Sequence, residues 1–325
     1  MVFGAIIARK FGEHFSKHQI QYNYPLMGAA GYSGLMVWHG GLSGSAPLKV
    51  AEEGHFLADT MGVMPISETI FSNMNLVTTA VMLIVLPSFA YWLAKRSQTK
   101  QVPLSFFQQQ TSNHKVAEDK PVQWQFIAVT FGAMILLLAL SSIFSDTQAF
   151  YKKITTNFIN LLLFGLCILF HGNYNRFLAA VDEAISSTSG IMIQFPLYGG
   201  IMGIMKFSGL MAMISEAFTT MSSDVTFPLF TFISAAIVNV FVPSGGGQWA
   251  VQGPIIVEAA SNLNVSISKS VMALAYGDQL TNMIQPFWAL PLLGITALKP
   301  QQLIPYTALF MLVGMVIFMG ALLVF

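Results

Sequence analysis

The sequence predicts an all-α polytopic membrane protein made of inverted repeats, with interrupted helices and a re-entrant hairpin. Three observations predict it. The 325 residues are 54% hydrophobic and only 9% charged, with a mean hydropathy of +0.64, a balance typical of a chain embedded in lipid. Several apolar runs approach the ~20 residues that a helix needs to cross ~30 Å of hydrocarbon. Other apolar runs carry Gly, Pro, Gln, Asn or Asp in mid-segment, where lipid cannot solvate the backbone groups that a break exposes.

From the N-terminus, residues 1–10 form a short apolar run that ends in Arg9 and Lys10. The charges follow the apolar part and no cleavage site comes after them, so this is not a signal peptide. It reads as the second half of a helix whose first half is absent. Residues 25–47 are an irregular span and 70–92 a plain one. Residues 94–121, rich in Gln, Ser and Lys, form a polar linker. Plain spans follow at 122–144 and 154–172. Residues 173–184 suit a short interfacial helix. In 185–222 two apolar arms flank Gln194, Pro196, Gly199 and Gly200, which predicts a re-entrant hairpin with its tip at Pro196, one irregular span being the alternative. Residues 226–262 and 268–298 are interrupted spans, and 303–325 is plain. The organisation is therefore 1–92 as part of a first repeat, 93–121 as a cytoplasmic linker, and 122–325 as a second repeat.

Charge sets the orientation. With 9–19 inside, alternation puts Lys95, Arg96, Lys100, Lys115, Lys120, Arg176, Lys206 and Lys299 inside too, leaving only Lys49, Lys152, Lys153 and Lys269 outside. A net charge of +1 gives no reason to invoke nucleic acid. The single cysteine, Cys167, rules out an internal disulfide or a Cys-based metal site.

The break from Val242 to Pro254 holds four glycines, two glutamines and two prolines. Gly245, Gly246 and Gly247 allow unusual backbone conformations and close approach of a ligand. Pro254 suits the first turn of a restarting helix, whose N–H groups favour a carboxylate. Ser244, Gln248 and Gln252 add neutral hydrogen-bonding groups, and Trp249 suits the wall around an apolar tail. A kink filled by neighbouring helices is the plain alternative. Further on, Asp278, Asn282 and Gln285 share a helical face, and Pro286 frees the Asn282 carbonyl. Together they suit Na⁺, or Asp278 alone suits a proton; an Asp near a helix end meeting water or a lysine is the plain alternative. His39, Ser43 and Ser45 lie among four glycines: His39 suits a proton carrier or a packed hydrogen-bonding residue, and the serines suit a polar lining.

Tyr32–Pro47 and Tyr276–Pro291 match without gaps, each running from a Tyr through a polar break to a Pro fifteen residues later. Counting crossings, the copies enter the membrane in opposite senses, which is the inverted repeat of secondary transporters, whose sites lie at the midplane. Gly4-Ala5-Ile6-Ile7 then corresponds to Gly253-Pro254-Ile255-Ile256.

The strings PSGGGQWAVQGP (243–254), KSVMALAYGDQLTNMIQPFWALP (269–291), SSTSGIMIQFPLYGGI (186–201) and GGLSGSAPL (40–48) resemble the bacterial short-chain fatty acid transporter family, the acetoacetate and butyrate type, within the ion-transporter superfamily. Members of that family carry a longer N-terminal part, so the chain is expected to lack the start of its first repeat. The resemblance implies secondary active transport of a small monocarboxylate across the bacterial inner membrane by alternating access. It implies no enzyme chemistry and no cofactor beyond a co-transported H⁺ or Na⁺, with a homo-oligomer left open.

Substrate binding is expected at Ser244, Gly245, Gly246, Gly247, Gln248, Gln194, Asn282, Gln285, Ser43 and Ser45, and ion coupling at Asp278, Asn282 and His39. Arg9, Arg96 and Arg176 all lie in polar flanks, so no span offers a bidentate clamp and a dicarboxylate fits less well than a monocarboxylate. A passive anion channel is the other alternative. Gly41-Leu42-Ser43-Gly44 also matches the string of intramembrane serine proteases, but the histidines after it are in loops or at a span end.

Overall fold

The computed structural model describes residues 1–107, 122–144 and 156–325, without the side chains of a few residues at helix ends and between 183 and 198. The described residues are helical apart from connections and one isolated antiparallel bridge, Tyr22 with Lys100. They divide into two compact units, Met1–Leu104 with Gly190–Phe325, and Ser105–Ser189.

The larger unit opens with α1 (Val2–Lys17), α2 (Tyr24–Tyr32), a 3₁₀ turn (Ser33–Val37), α3 (Ser45–Lys49), α4 (Ala58–Met61) and α5 (Asn73–Arg96). Local chemistry sets several starts. The Asn23 side chain accepts from the Leu26 N–H at 2.9 Å, with Pro25 in the first turn of α2, and Ser72 caps α5. The smaller unit holds α6 (Val122–Phe144), α7 (Thr156–His171) and the start of α8 (Tyr174–Phe207). Ala128, Ile135, Ile168 and Phe177 form its core. The larger unit resumes along α8 and continues through α9 (Leu210–Thr220), α10 (Phe227–Phe241), α11 (Gly245–Asn262), α12 (Ile267–Thr281), a 3₁₀ turn (Asn282–Ile284), α13 (Pro286–Thr296) and α14 (Pro300–Val324).

Helices α5 and α14 are each long and apolar enough to cross a membrane, and two bent helix pairs qualify if each pair is one span. Leu83, Ile84 and Val316 are more than 60% exposed on these helices, as lipid-facing side chains are. At the end of α5, Lys95 lies over the Tyr91 ring and Arg96 over Trp92, the aromatic and basic pairing of a membrane interface.

Helix α12 runs through the middle of the larger unit and is buried from Ser270 to Thr281. It packs against α10, α11 and α14. Below it Ala46, Val50, Leu57 and Met64 meet Trp249, Ile256, Val257, Val271 and Leu274 in one apolar cluster. Every polar side chain on α12 must therefore find its partners within the protein.

The four plain spans are helices close to the expected bounds, and the four irregular ones are all interrupted. The positions of three breaks differ from expectation. Helix α8 continues through Pro196, and the chain turns at Gly209, whose φ of +76° is open to glycine and costly for other residues. Residues 173–184 accordingly begin α8 and do not form a helix of their own. The third break is shorter than the sequence suggests: α11 restarts at Gly245, so Pro254 sits inside the helix. Ser244 explains the early restart, since its side chain accepts from the Gly247 N–H at 3.2 Å and caps the helix. With that cap in place, Gly245, Gly246 and Gly247 have no positive φ.

Candidate functional site

The break between the first 3₁₀ turn and α3 places His39 in the core. Its backbone N–H donates to Gln279 Oε1 at 2.8 Å, while Asn75 Nδ2 donates to the Gly40 carbonyl at 2.7 Å. Tyr276 anchors Asn75 in turn, its hydroxyl donating to Asn75 Oδ1 at 2.9 Å. The His39 ring is held at both nitrogens. The Ala46 N–H donates to Nε2 at 3.1 Å, and Nδ1 lies 2.5 Å from Asp278 Oδ2. Because Nε2 accepts, the hydrogen-bond pattern makes Nδ1 the donor to Asp278 Oδ2. Both residues are fully buried, and Asp278 Oδ1 has no hydrogen-bond partner among the described residues.

The first turn of α11 closes over this pair. A Cβ built on Gly245 would stand 2.6 Å from His39 Cε1 and 3.2 Å from Asp278 Oδ2. Close approach is therefore what glycine provides at 245, and the group approached is the His39–Asp278 pair. Gly245 also lines a cavity of about 350 Å³, together with Ser45, Ser244 and Gly246, Gly199 and Met202 of α8, Pro243, and Trp38, Phe287 and Trp288. Its size falls within the ~300–1,000 Å³ of small-molecule sites, and among the described residues its lining contains no Lys, Arg, Asp or Glu.

Asn282 and Gln285 lie elsewhere. Asn239 of α10 gathers them: its Nδ2 lies 2.6 Å from the Asp278 carbonyl, 2.9 Å from Thr281 Oγ1 and 2.8 Å from Asn282 Oδ1. Gln285 Nε2 donates to the Asn239 carbonyl. The shared helical face is broken because α12 ends at Thr281 and Gln285 is extended. The Asn282 carbonyl is also not free, since the Tyr32 hydroxyl donates to it at 2.8 Å. Asp278, Asn282 and Gln285 thus do not present one set of ion ligands. Gln248 is fully buried, its Nε2 donating to the Ala235 carbonyl at 2.9 Å and to Gln252 Oε1 at 2.7 Å, which ties α11 to α10. Ser43 is exposed and donates to the Trp38 carbonyl at 3.2 Å. Trp249, expected beside a substrate tail, is instead in the apolar cluster below α12. The side chain of Gln194 lies outside the described residues.

The structure brings together Ser45, Ser244, Gly245, Gly246, His39 and Asp278. It adds Trp38, Trp288, Asn239, Gln279 and Asn75, which the sequence reading passed over. Asn239 did carry a signal, as the only amide in α10, whose other residues are apolar except for Thr231 and Ser234. The two tryptophans carried none beyond being aromatic.

Comparison with known proteins agrees with the resemblance of the motifs. The family model described as short chain fatty acid transporter matches residues 1–325. A protein of Escherichia coli K12 named "Putative short-chain fatty acid transporter" is 34% identical over 330 residues, covering 99% of this chain and 74% of its own length. A protein of Haemophilus influenzae Rd with the same name is 36% identical over 313 residues, covering 91% of this chain and 68% of its own length. No solved structure matches. With the family model spanning every residue and two relatives aligned along most of both chains, this membrane protein belongs to the short-chain fatty acid transporter family.

Proposed function

We propose that the chain is a multi-pass carrier of the bacterial inner membrane that moves small monocarboxylates such as butyrate or acetoacetate by secondary active, alternating-access transport. The acid binds in the cavity beside Ser45 and Ser244–Gly246, and the His39–Asp278 pair couples its movement to H⁺ or Na⁺. One observation carries this reading: an ionisable pair, fully buried, lies directly behind the cavity wall at Gly245. Buried ionisable groups in membrane helices are expensive, and the usual return is transport or proton transfer. Asp278 Oδ1, buried and without a partner among the described residues, is where the coupled cation acts. A cavity lined by neutral groups suits a single negative charge better than the two of a dicarboxylate.

The contact pattern supports inverted repeats. Helix α1 packs on α2 and on α13, whereas α11 packs on α12 and on α3. Each leading helix therefore touches the first helix of its own copy and the second helix of the other, as two intertwined repeats require. The 60° bend between Gly199–Phe207 and Leu210–Thr220 supports a re-entrant or broken span with its tip at Gly209.

The test is uptake of labelled butyrate into proteoliposomes under separately imposed pH and Na⁺ gradients, with Asp278→Asn alongside. The wild type should accumulate butyrate saturably under one of the two gradients, and the variant should lose at least tenfold of that accumulation. Uptake that never saturates or runs only downhill describes a channel. Full gradient-driven accumulation by the variant removes Asp278 from the mechanism.

A further inference from the structure

We propose that the coupled ion is a proton and that Asp278 Oδ1 is the atom that takes it, with His39 as the positioning residue. This rests on the carrier reading above, which leaves H⁺ and Na⁺ open, and names the ion. The hydrogen bonds decide where a proton can go. His39 Nε2 accepts from the Ala46 N–H at 3.1 Å, so Nδ1 donates to Asp278 Oδ2 at 2.5 Å and the ring is neutral. In that state the buried pair carries the negative charge of the carboxylate, and Oδ1 has no partner among the described residues. A proton added to the ring would have to sit on Nε2, head to head with the Ala46 N–H. One added to Oδ1 removes the buried charge and leaves both His39 bonds in place, because Oδ2 of a neutral carboxyl still accepts.

A sodium ion is the poorer fit. It needs several oxygens around it, and Oδ1 is closed to anything the size of a water molecule, whereas a proton needs one lone pair and no space. Oxygens that could complete a sodium shell are committed elsewhere: Asn282 Oδ1 faces Asn239 Nδ2, and the Asn282 carbonyl accepts from Tyr32. No fixed cation balances the carboxylate either. On α12 and on α3, α10, α11, α14 and the two 3₁₀ turns packed against it, the other titratable side chains are Lys49, Glu258, Lys269, Tyr276 and Tyr306. Lys49 and Glu258 are exposed, Lys269 lies in the first turn of α12, Tyr276 donates to Asn75, and Tyr306 accepts from Asn23. Gly245 links the proton to the acid. It lines the cavity, and a Cβ built on it would stand 3.2 Å from Asp278 Oδ2, so an anion in the cavity lies one residue away from the carboxylate. Like charges that close disfavour each other. Binding of the anion therefore favours uptake of a proton, and by linkage the proton tightens binding of the anion. One anion and one proton then cross together, with no net charge moved.

The experiment adds butyrate to the detergent-solubilised full chain near neutral pH, in weakly buffered solution with a pH-indicating dye, with and without Na⁺. Butyrate is ionised there, so proton uptake reports a change at the site. The wild type should take up as much as one proton per butyrate bound, and its affinity should tighten by up to about tenfold for each unit that pH falls, with Na⁺ making no difference. Asp278→Asn, neutral at every pH, should bind without proton uptake and without that slope. His39→Gln should still take up the proton, over a different pH range. Loss of uptake in a His39→Gln chain that still binds butyrate puts the proton on the ring and overturns the assignment to Oδ1. Difference infrared spectra of the wild type read the same event without substitution. Butyrate isotopically labelled at its carboxyl should add a carboxylic-acid C=O band at the unlabelled frequency, and binding without that band also overturns the proposal. The two readings fail differently. Butyrate binding that needs Na⁺ and takes up no proton ends the proton site and leaves the carrier. Proton-linked binding without gradient-driven accumulation in proteoliposomes keeps the proton site and ends the carrier.

Discussion

Substituting alanine at two neighbouring glycines separates close packing from helix preference. Gly245 and Gly246 both lie in the first turn of α11, so replacing either gains about the same helix propensity, up to ~1 kcal/mol. Their surroundings differ. A Cβ at 246 would meet only Ser45 Cβ at 3.7 Å, an ordinary contact, whereas one at 245 would stand 2.6 Å from His39 Cε1 and 3.1 Å from its Nδ1. That ring cannot move aside cheaply, because Asp278 holds one nitrogen and the Ala46 N–H the other. Overpacking a fixed core site costs about 1–3 kcal/mol.

Because propensity cancels between the variants, Gly245→Ala should be less stable than Gly246→Ala by about that amount. Thermal unfolding in detergent gives the difference, and gradient-driven butyrate uptake gives its consequence. Gly245→Ala should lose most of its uptake, since relief of the clash means separating His39 from Asp278. Equal unfolding midpoints for the two variants, with normal uptake by Gly245→Ala, would refute the claim that this turn seats the pair.

Four further outcomes follow from other contacts. Asn239→Ala should cost about 1–3 kcal/mol, because Asn282 Oδ1 and the Asp278 carbonyl lose their shared donor. Asn239→Asp should unfold at a lower temperature still, since a carboxylate donates nothing and adds a buried charge. Tyr32→Phe leaves the Asn282 carbonyl with only the Gln285 N–H and should cost about 1 kcal/mol in the same assay. Outside the spans, burial is the largest single influence on Glu13 and raises its pKa, but Lys10 and Arg9 together hold it below the ordinary carboxylate range. The stability this adds is present above the ordinary range and is lost as pH falls through the lowered pKa. The difference in unfolding midpoint between wild type and Glu13→Gln should be small, as for surface pairs, and should vanish on acidification.

What the sequence made legible was governed by local terms. Long apolar runs become helices because lipid leaves the backbone no other partner, and polar residues inside such runs mark interruptions. The placement of the breaks was harder to read, because it depends on which end is satisfied. Pro196 lacks a stop on either side and is carried within α8, whereas Ser244 caps a helix as soon as the chain reaches Gly245. The pairing of side chains was not legible at all. His39 and Asp278 lie 239 residues apart, and nothing in the sequence joins them: alone, His39 reads as well as a packing residue, and Asp278 as a polar residue near a helix end.

The division between legible and hidden follows from how such a site is built. A membrane protein that uses neutral groups for its substrate draws them from backbone freed by a break and from side chains such as Trp and Ser that serve equally in packing. Only relative position distinguishes Trp38 and Trp288 from Trp249: all three have a buried, unpartnered Nε1, and two of them share a cavity while the third sits in an apolar cluster. The charged members are easier to find because desolvation makes them rare. Asp278 therefore announced itself in the sequence, and the neutral residues that line the cavity beside it did not.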